Sequence, residues 1–419
     1  MIAGLPDLIA SRAGLTPERV ALEDAATGRT LTYAQLDDRA GRAAALLAGR
    51  GVAAGDRVAI LTRNRIEFFE LLFAAARLGA ILVPLNWRMP PAELDGLIAD
   101  SAPALLLHGR IEAAAAAALA RPLPAIDLDG DYEPQLARAA PAPARGPRAA
   151  DPWYLIYTSG TTGRPKGVIY THGMALANHV NIGGAIGLTG ADTTASFLPV
   201  FHTAGINLHA LPTLIAGGRV IVMDGFDADR LVALIEAGRL DTVFAVPTVY
   251  QSLLDHPRFA GAPLGAVRHW GCGGAPLPDA LALRYRDLGV RVCNGMGMTE
   301  TGPTAFLMDP ADAWERVGSV GKPQLLVGAR IVDAEDRALA DGAVGDLQFS
   351  GPAVTPGYWR NEEATRAAFT ADGWLRSGDL ARRDADGFFY IAGRRKEMFI
   401  SGGENVYPAE VENVLSAHP

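Results

Sequence analysis

Apolar and polar positions along this chain follow two rhythms that repeatedly change places. Arg57-Val-Ala-Ile-Leu-Thr62 is a short apolar run and predicts a buried strand. Ile66, Phe69, Leu72, Phe73 and Ala76 then recur at helical spacing, with Glu67, Glu70 and Arg77 on the other side. Gly79 stops that helix, and Ala80-Ile-Leu-Val-Pro84 predicts the next strand. Strand, helix and strand with tight connections make a βαβ unit, whose parallel strands should be joined right-handedly. The same alternation continues through Trp153–Tyr157, Arg219–Met223 and Thr242–Val246. Beyond about residue 318 the runs shorten. Gly, Asp and Pro punctuate alternating segments at 327–333, 345–350 and 387–391, which predicts a small β-rich subdomain over about 318–393. The Ala/Pro/Arg stretch 137–150 breaks the periodicity and reads as a surface linker.

Composition narrows the class. With 419 residues, 49% of them hydrophobic, the chain is long enough for several domains and too apolar for a disordered tail. A net charge of −8 excludes the basic footprint of a nucleic-acid-binding protein. No apolar run is long enough to span a bilayer, and Met1–Asp7 lacks the cationic start of a signal peptide. Two cysteines, Cys272 and Cys293, fit neither a disulfide framework nor a CxxC zinc site. A soluble cytoplasmic enzyme is expected, its oligomeric state left open.

The richest stretch is Tyr157-Thr-Ser-Gly-Thr-Thr-Gly-Arg-Pro-Lys-Gly-Val168. Gly160 and Gly163 let backbone N–H groups turn toward an anion, Thr158, Ser159, Thr161 and Thr162 add hydroxyl donors, and Lys166 adds a full charge. That is chemistry for a polyphosphate, although the spacing is not that of a Walker A loop. The segment resembles the phosphate loop of the acyl-adenylate-forming superfamily, which includes acyl-CoA synthetases, peptide-synthetase adenylation domains and luciferases. Five further motifs follow in that family's order: Phe201–Gly205, Cys272–Leu277, Asn294–Gly302, Ser377–Leu380 and Gly393–Met398. They resemble, in turn, its acyl-pocket mouth, adenine loop, adenine–phosphate–metal motif, ribose motif and hinge.

The resemblance implies an α/β fold of two doubly wound βα subdomains plus the small β subdomain, together a large N-terminal domain over 1–393. Residues 394–419 would be the hinge and first segment of an α+β lid. It also implies ATP, Mg²⁺ and coenzyme A: the carboxylate attacks the α-phosphate to give acyl-AMP, and the CoA thiol displaces AMP. Lys166 and the hydroxyls of Thr158–Thr162 would hold the β- and γ-phosphates, and Thr299 the α-phosphate. Glu300 would bind Mg²⁺. Asp379 and Arg394 would take the ribose, and Gly274, Ala275 and Pro276 would line one face of adenine. Asn294, Gly295, Met296 and Gly297 belong to the same adenine site. Met296 stands where the family usually has an aromatic residue, so polarizable contact replaces π-stacking there.

An amino-acid-activating member carries an acidic residue where this chain has His202, so amino acids are disfavoured. By resemblance the acyl pocket includes His202, Thr203, Ala204, Gly205, Val246, Gly271, Gly273, Gly297 and Pro303. That wall offers no charged anchor and suits a medium-chain, branched, alicyclic or aryl acid rather than a dicarboxylate. His172, His179 and His209 read as core histidines. The chain contains no GxSxG, which excludes a serine hydrolase of that type, and Gly295-Met-Gly297 lacks the third glycine of a dinucleotide loop. A nucleotide- or acyl-binding protein with little turnover, or an acyl-AMP ligase using another acceptor, remains the rival. In the family a lid lysine completes adenylation. Lys396 matches the hinge, the following residues open a lid, and the chain ends at Pro419, so impaired turnover is expected.

Overall fold

Arg57–Leu61 and Ile81–Pro84 pair in parallel, joined by the helix Ile66–Leu78, which ends on Gly79 at φ 75°. That left-handed cap favours glycine and turns the chain straight into the second strand. The helix is buried on its polar side as well, where Glu67, Glu70 and Arg77 lie inside the fold. The reason is a second layer: helix Tyr33–Gly49 brings Arg39 and Asp37, and helix Tyr132–Arg138 the Tyr132 hydroxyl, onto that face. Arg39 Nε donates to Glu70 at 2.6 Å, Tyr132 donates to the same carboxylate at 2.9 Å, and Arg29 reaches Glu67 at 2.7 Å. Arg77 pairs with Asp7 at 2.8 Å and with Asp37. Buried charges survive only when paired in this way.

This computed structural model describes residues 4–158, 165–401, 404–406 and 408–416. The chain divides into two units. Unit one comprises Met1–His179, Thr189–Phe226 and Thr355–Glu362; unit two comprises Val180–Leu188, Asp227–Val354 and Glu363–Pro419.

Unit one holds a six-stranded sheet in the order Ala125–Asp127, Leu105–His108, Arg57–Leu61, Ile81–Pro84, Pro152–Thr158, Lys166–Thr171. The first five strands are parallel and the last is antiparallel. A second set runs Thr193–Ser196, Arg219–Val222 and Val20–Asp24 in parallel, with Thr30–Thr32 antiparallel at its end. Helices cover both faces of the parallel strands, the doubly wound arrangement. Two apolar clusters lie in unit one, the larger including Phe68, Phe69, Trp153, Tyr170 and Leu211 and the smaller Leu61, Val83, Leu97 and Leu155. The stretch 140–147 has no helix or strand, yet it is fastened: Ala142 N donates to the Gly41 carbonyl at 3.0 Å, and Leu5 N to the Pro147 carbonyl at 2.9 Å. A Cβ on Gly41 would lie 3.0 Å from Pro141, so the close approach requires glycine there.

Unit two has parallel strands Thr242–Ala245, His269–Cys272 and Val292–Met296, followed by short antiparallel Phe306–Leu307 and Lys322–Pro323. A four-stranded antiparallel sheet follows: Gly328–Val332, Gly345–Ser350, Leu375–Arg383 and Phe389–Arg394. Among the described residues no helix is long and apolar enough to cross a membrane.

Candidate functional site

In unit one the glycine-rich loop joins two antiparallel strands, with Thr158 directly opposite Lys166. Ser159, Gly160, Thr161, Thr162 and Gly163 lie outside the described residues. The feet of the loop are well anchored, since Tyr157 donates its hydroxyl hydrogen bond to Asp100 at 2.6 Å.

The segment 201–205 lies elsewhere in unit one. His202 caps the short helix Thr203–Asn207, its Nδ1 accepting from Ala204 N at 3.2 Å. That bond assigns the proton to Nε2. His202 keeps a solvent-accessible edge, while the surrounding protein desolvates the ring and holds its pKa below the usual histidine value. Gly205 is compulsory, because a Cβ there would lie 2.2 Å from the Pro199 carbonyl oxygen.

Two asparagines that sequence reasoning passed over hold this segment. Asn64 donates to the Leu198 carbonyl at 2.8 Å and accepts from Val200 N at 3.1 Å. Asn207 receives the Tyr154 hydroxyl at 2.6 Å and donates to Thr203 Oγ1 at 3.1 Å, while Asn178 donates to the Asn207 carbonyl at 2.6 Å. The only signal was a polar residue inside an apolar run, Ile206-Asn207-Leu208. His172 is a core histidine as expected: it stacks on Trp153 at 4.5 Å, and burial lowers its pKa to about 4.

Unit two places the 272–277 and 294–302 motifs at the ends of parallel strands, and the 377–380 and 393–398 motifs on its antiparallel sheet and the turn after it. A Cβ on Gly273 would lie 2.9 Å from the Gly295 carbonyl, and one on Gly274 would lie 3.4 Å from Val246. These positions therefore adjoin. Gly274, Ala275 and Pro276 are exposed past the end of His269–Cys272. Phe244 was also missed. Its ring covers Gly271 and Gly273, where added Cβ atoms would meet it at 2.7 and 3.2 Å. Asn294 uses its side chain to donate to the Ser319 carbonyl at 3.0 Å. Met296 is partly buried against the core of the antiparallel sheet. Gly297 passes so close to Pro303 that a Cβ would lie 1.5 Å from its carbonyl oxygen. Thr299 and Glu300 are buried on the single turn Thr299–Thr301, which Gly302 ends at φ 82°.

Asp379 is buried on the strand Leu375–Arg383, opposite Arg394, whose Nε lies 2.7 Å from Oδ1. The other oxygen, Oδ2, is buried with no hydrogen-bond partner among the described residues. Burial raises the Asp379 pKa to about 6; Arg394 opposes this, and the charges of Glu397 and Glu300 add to it. Asp379, Arg394 and Glu300 thus share one electrostatic neighbourhood. Lys396 is exposed on the turn after Arg394. Among the described residues no group of three or more His, Cys, Asp or Glu gathers to hold a metal.

The sequence matches the AMP-binding enzyme family over residues 9–359. It is 41% identical to a feruloyl-CoA synthase of an Amycolatopsis species, over 99% of this chain and 84% of the relative. It is 37% identical to an indoleacetate–CoA ligase of Aromatoleum aromaticum, over 99% and 83%. The crystal structure of ATP-bound MatB from Rhodopseudomonas palustris superposes with a TM-score of 0.90 at 34% identity, over 99% of this chain and 83% of that one.

Proposed function

We propose that this chain, which belongs to the AMP-binding enzyme family, activates an aromatic carboxylic acid with an uncharged tail, of the arylpropenoate or arylacetate kind. As an AMP-forming acid–thiol ligase it uses ATP, Mg²⁺ and coenzyme A. The observation that carries the substrate reading is the wall of unit two, where the groups nearest Gly271, Gly273 and Gly274 are the Phe244 ring, the Gly295 backbone, Val246 and the buried His269, whose pKa burial lowers to about 4. Such a wall is flat, apolar and unable to pair a second carboxylate. The relatives named for feruloyl and indoleacetate substrates support the same class.

In this reading Lys166, with the loop hydroxyls, neutralises the β- and γ-phosphates as charge builds on them. Thr299 bonds the α-phosphate, and Gly274–Pro276 lie along adenine. Asp379, with its unpartnered Oδ2, accepts from the ribose hydroxyls. Glu300 fits Mg²⁺ as a single buried carboxylate, with phosphate and water completing the shell. When bound, Mg²⁺ offsets phosphate charge.

Pyrophosphate release measured over ferulate, indoleacetate, a medium-chain fatty acid, an alicyclic acid and a dicarboxylate, with and without CoA, tests the substrate class. The aryl acids are expected to exceed the dicarboxylate by about a hundredfold or more in kcat/KM, since an unpaired buried carboxylate is costly. A preference for the dicarboxylate or the fatty acid sinks the reading, and adenylate without thioester points to another acceptor.

A pH dependence follows from Asp379. Burial destabilises its carboxylate, so below pH of about 6 it carries a proton. Ribose hydroxyls need the ionised acceptor, so ATP affinity should fall as pH drops through 6, by up to about tenfold per pH unit. Calorimetry from pH 5 to 8 measures this, and Asp379→Asn should bind weakly with a flat profile.

A further inference from the structure

The last strand of the six-stranded sheet, Lys166–Thr171, is flanked by a segment from much later in the chain. Trp359 N donates to the Gly167 carbonyl at 2.7 Å, and Ile169 N donates to the Gly357 carbonyl at 3.1 Å. Val168 and Tyr358 form an antiparallel bridge. Thr355 Oγ1 closes the end of this zipper on the Ile169 carbonyl at 2.7 Å, across 186 residues of sequence. The fit is tight, since a Cβ on Gly167 would lie 3.1 Å from the Tyr157 ring and 3.3 Å from Trp359 Cβ. Arg57 and Arg360 stack on Trp359, 5.5 and 5.6 Å from its ring centre, and hold the strap from outside. With the backbone fastened, the Tyr358 ring lies beneath the Lys166 ammonium, 5.0 Å from Nζ to the ring centre.

We propose that Tyr358 is a positioning residue for Lys166, its ring holding the ammonium from one side so that the donors on the other side are ready for phosphate. The inference rests on the reading of Lys166 as a phosphate ligand. Lysine is long and loses much side-chain freedom when it is fixed. A ring face within 6 Å restrains a cation without occupying its hydrogen-bonding directions as a carboxylate would, and without neutralising its charge. A carboxylate here would satisfy the lysine and also repel the phosphates.

The test measures adenylation with ATP varied at saturating acid. Tyr358→Leu is expected to lower kcat/KM for ATP by about tenfold, chiefly through KM, while Tyr358→Phe stays within about twofold of the parent. In a Lys166→Met background, Tyr358→Leu should add less than about twofold, because its effect acts through the lysine. Equal losses in both backgrounds mean a merely structural role and overturn the inference. If Tyr358→Leu does not fold, phenylalanine and its mono-, di- and trifluorinated forms at 358 vary the ring's charge with little change in volume. KM for ATP should then rise with each fluorine, and a flat series overturns the proposal. A Lys166→Met variant that keeps parental kcat/KM for ATP instead overturns the phosphate reading on which the inference rests.

Discussion

Lys166→Met is expected to lower kcat/KM for ATP in pyrophosphate release by about 10²–10³-fold, the usual cost of losing one preorganised electrostatic donor at a site of developing charge. The polyphosphate brings several negative charges to a loop that otherwise offers hydroxyls, amides and the single guanidinium of Arg164, so losing the ammonium removes a large share of the loop's positive charge. Lys166 is half-buried at the foot of a hairpin and contributes no core packing, so the thermal midpoint should change little. The KM for the acid should also hold. A loss below about threefold, in a chain of parental stability, would remove Lys166 from the machinery.

Gly297→Ala is the second large effect, and it acts through shape. The new methyl would stand 1.5 Å from the Pro303 carbonyl oxygen and 2.4 Å from its carbon, both backbone atoms that no rotamer change can move away. The chain between them carries Thr299 and Glu300 on one short turn, and Ala305 N donates back to the Met296 carbonyl at 3.1 Å. The loop has to open, displacing both side chains. Overpacking of this kind costs about 1–3 kcal/mol or more of stability. ATP affinity should fall by about a hundredfold, because two positioned polar groups are lost together. Denaturant unfolding and calorimetry read the two effects. Gly261→Ala is the matched control, since nothing lies within 4 Å of its Cβ position, and it should be nearly silent. Parental ATP affinity in Gly297→Ala would falsify the link between this turn and the nucleotide.

Much of this was legible in the residues, for identifiable reasons. The βαβ unit at 57–84 declared itself because strand and helix periods differ and Gly79 and Pro84 mark the joints. The burial of the polar side of Ile66–Leu78 was not legible, because period alone cannot distinguish a solvated charge from one paired inside the fold. Glu70 needs Arg39 and Tyr132 to be understood, and both come from other helices. The strand Leu375–Arg383, which carries Asp379, hid behind Arg-Ser-Gly-Asp, a sequence that reads as a turn. Asn64 and Asn207 were invisible for a different reason. Each binds main-chain or hydroxyl groups of the segment holding His202, and such partners leave no mark on a sequence pattern. Phe244 looked like an ordinary buried strand residue until the glycines opposite it showed why no side chain could stand there.

The late return of residues 355–362 to unit one bears on how the protein is made. Until they arrive, the strand Lys166–Thr171 closes its sheet with a row of backbone amides and carbonyls facing outward. An unpaired row of that kind is a template for another chain. A ribosome has to add nearly two hundred residues after the strand before Gly357 and Trp359 can cover it, and contacts so distant in sequence form slowly. The strap therefore also acts as a guard against self-association. Nascent chains crowded on one message are exposed to that hazard while the 186 residues between Ile169 and Thr355 are added.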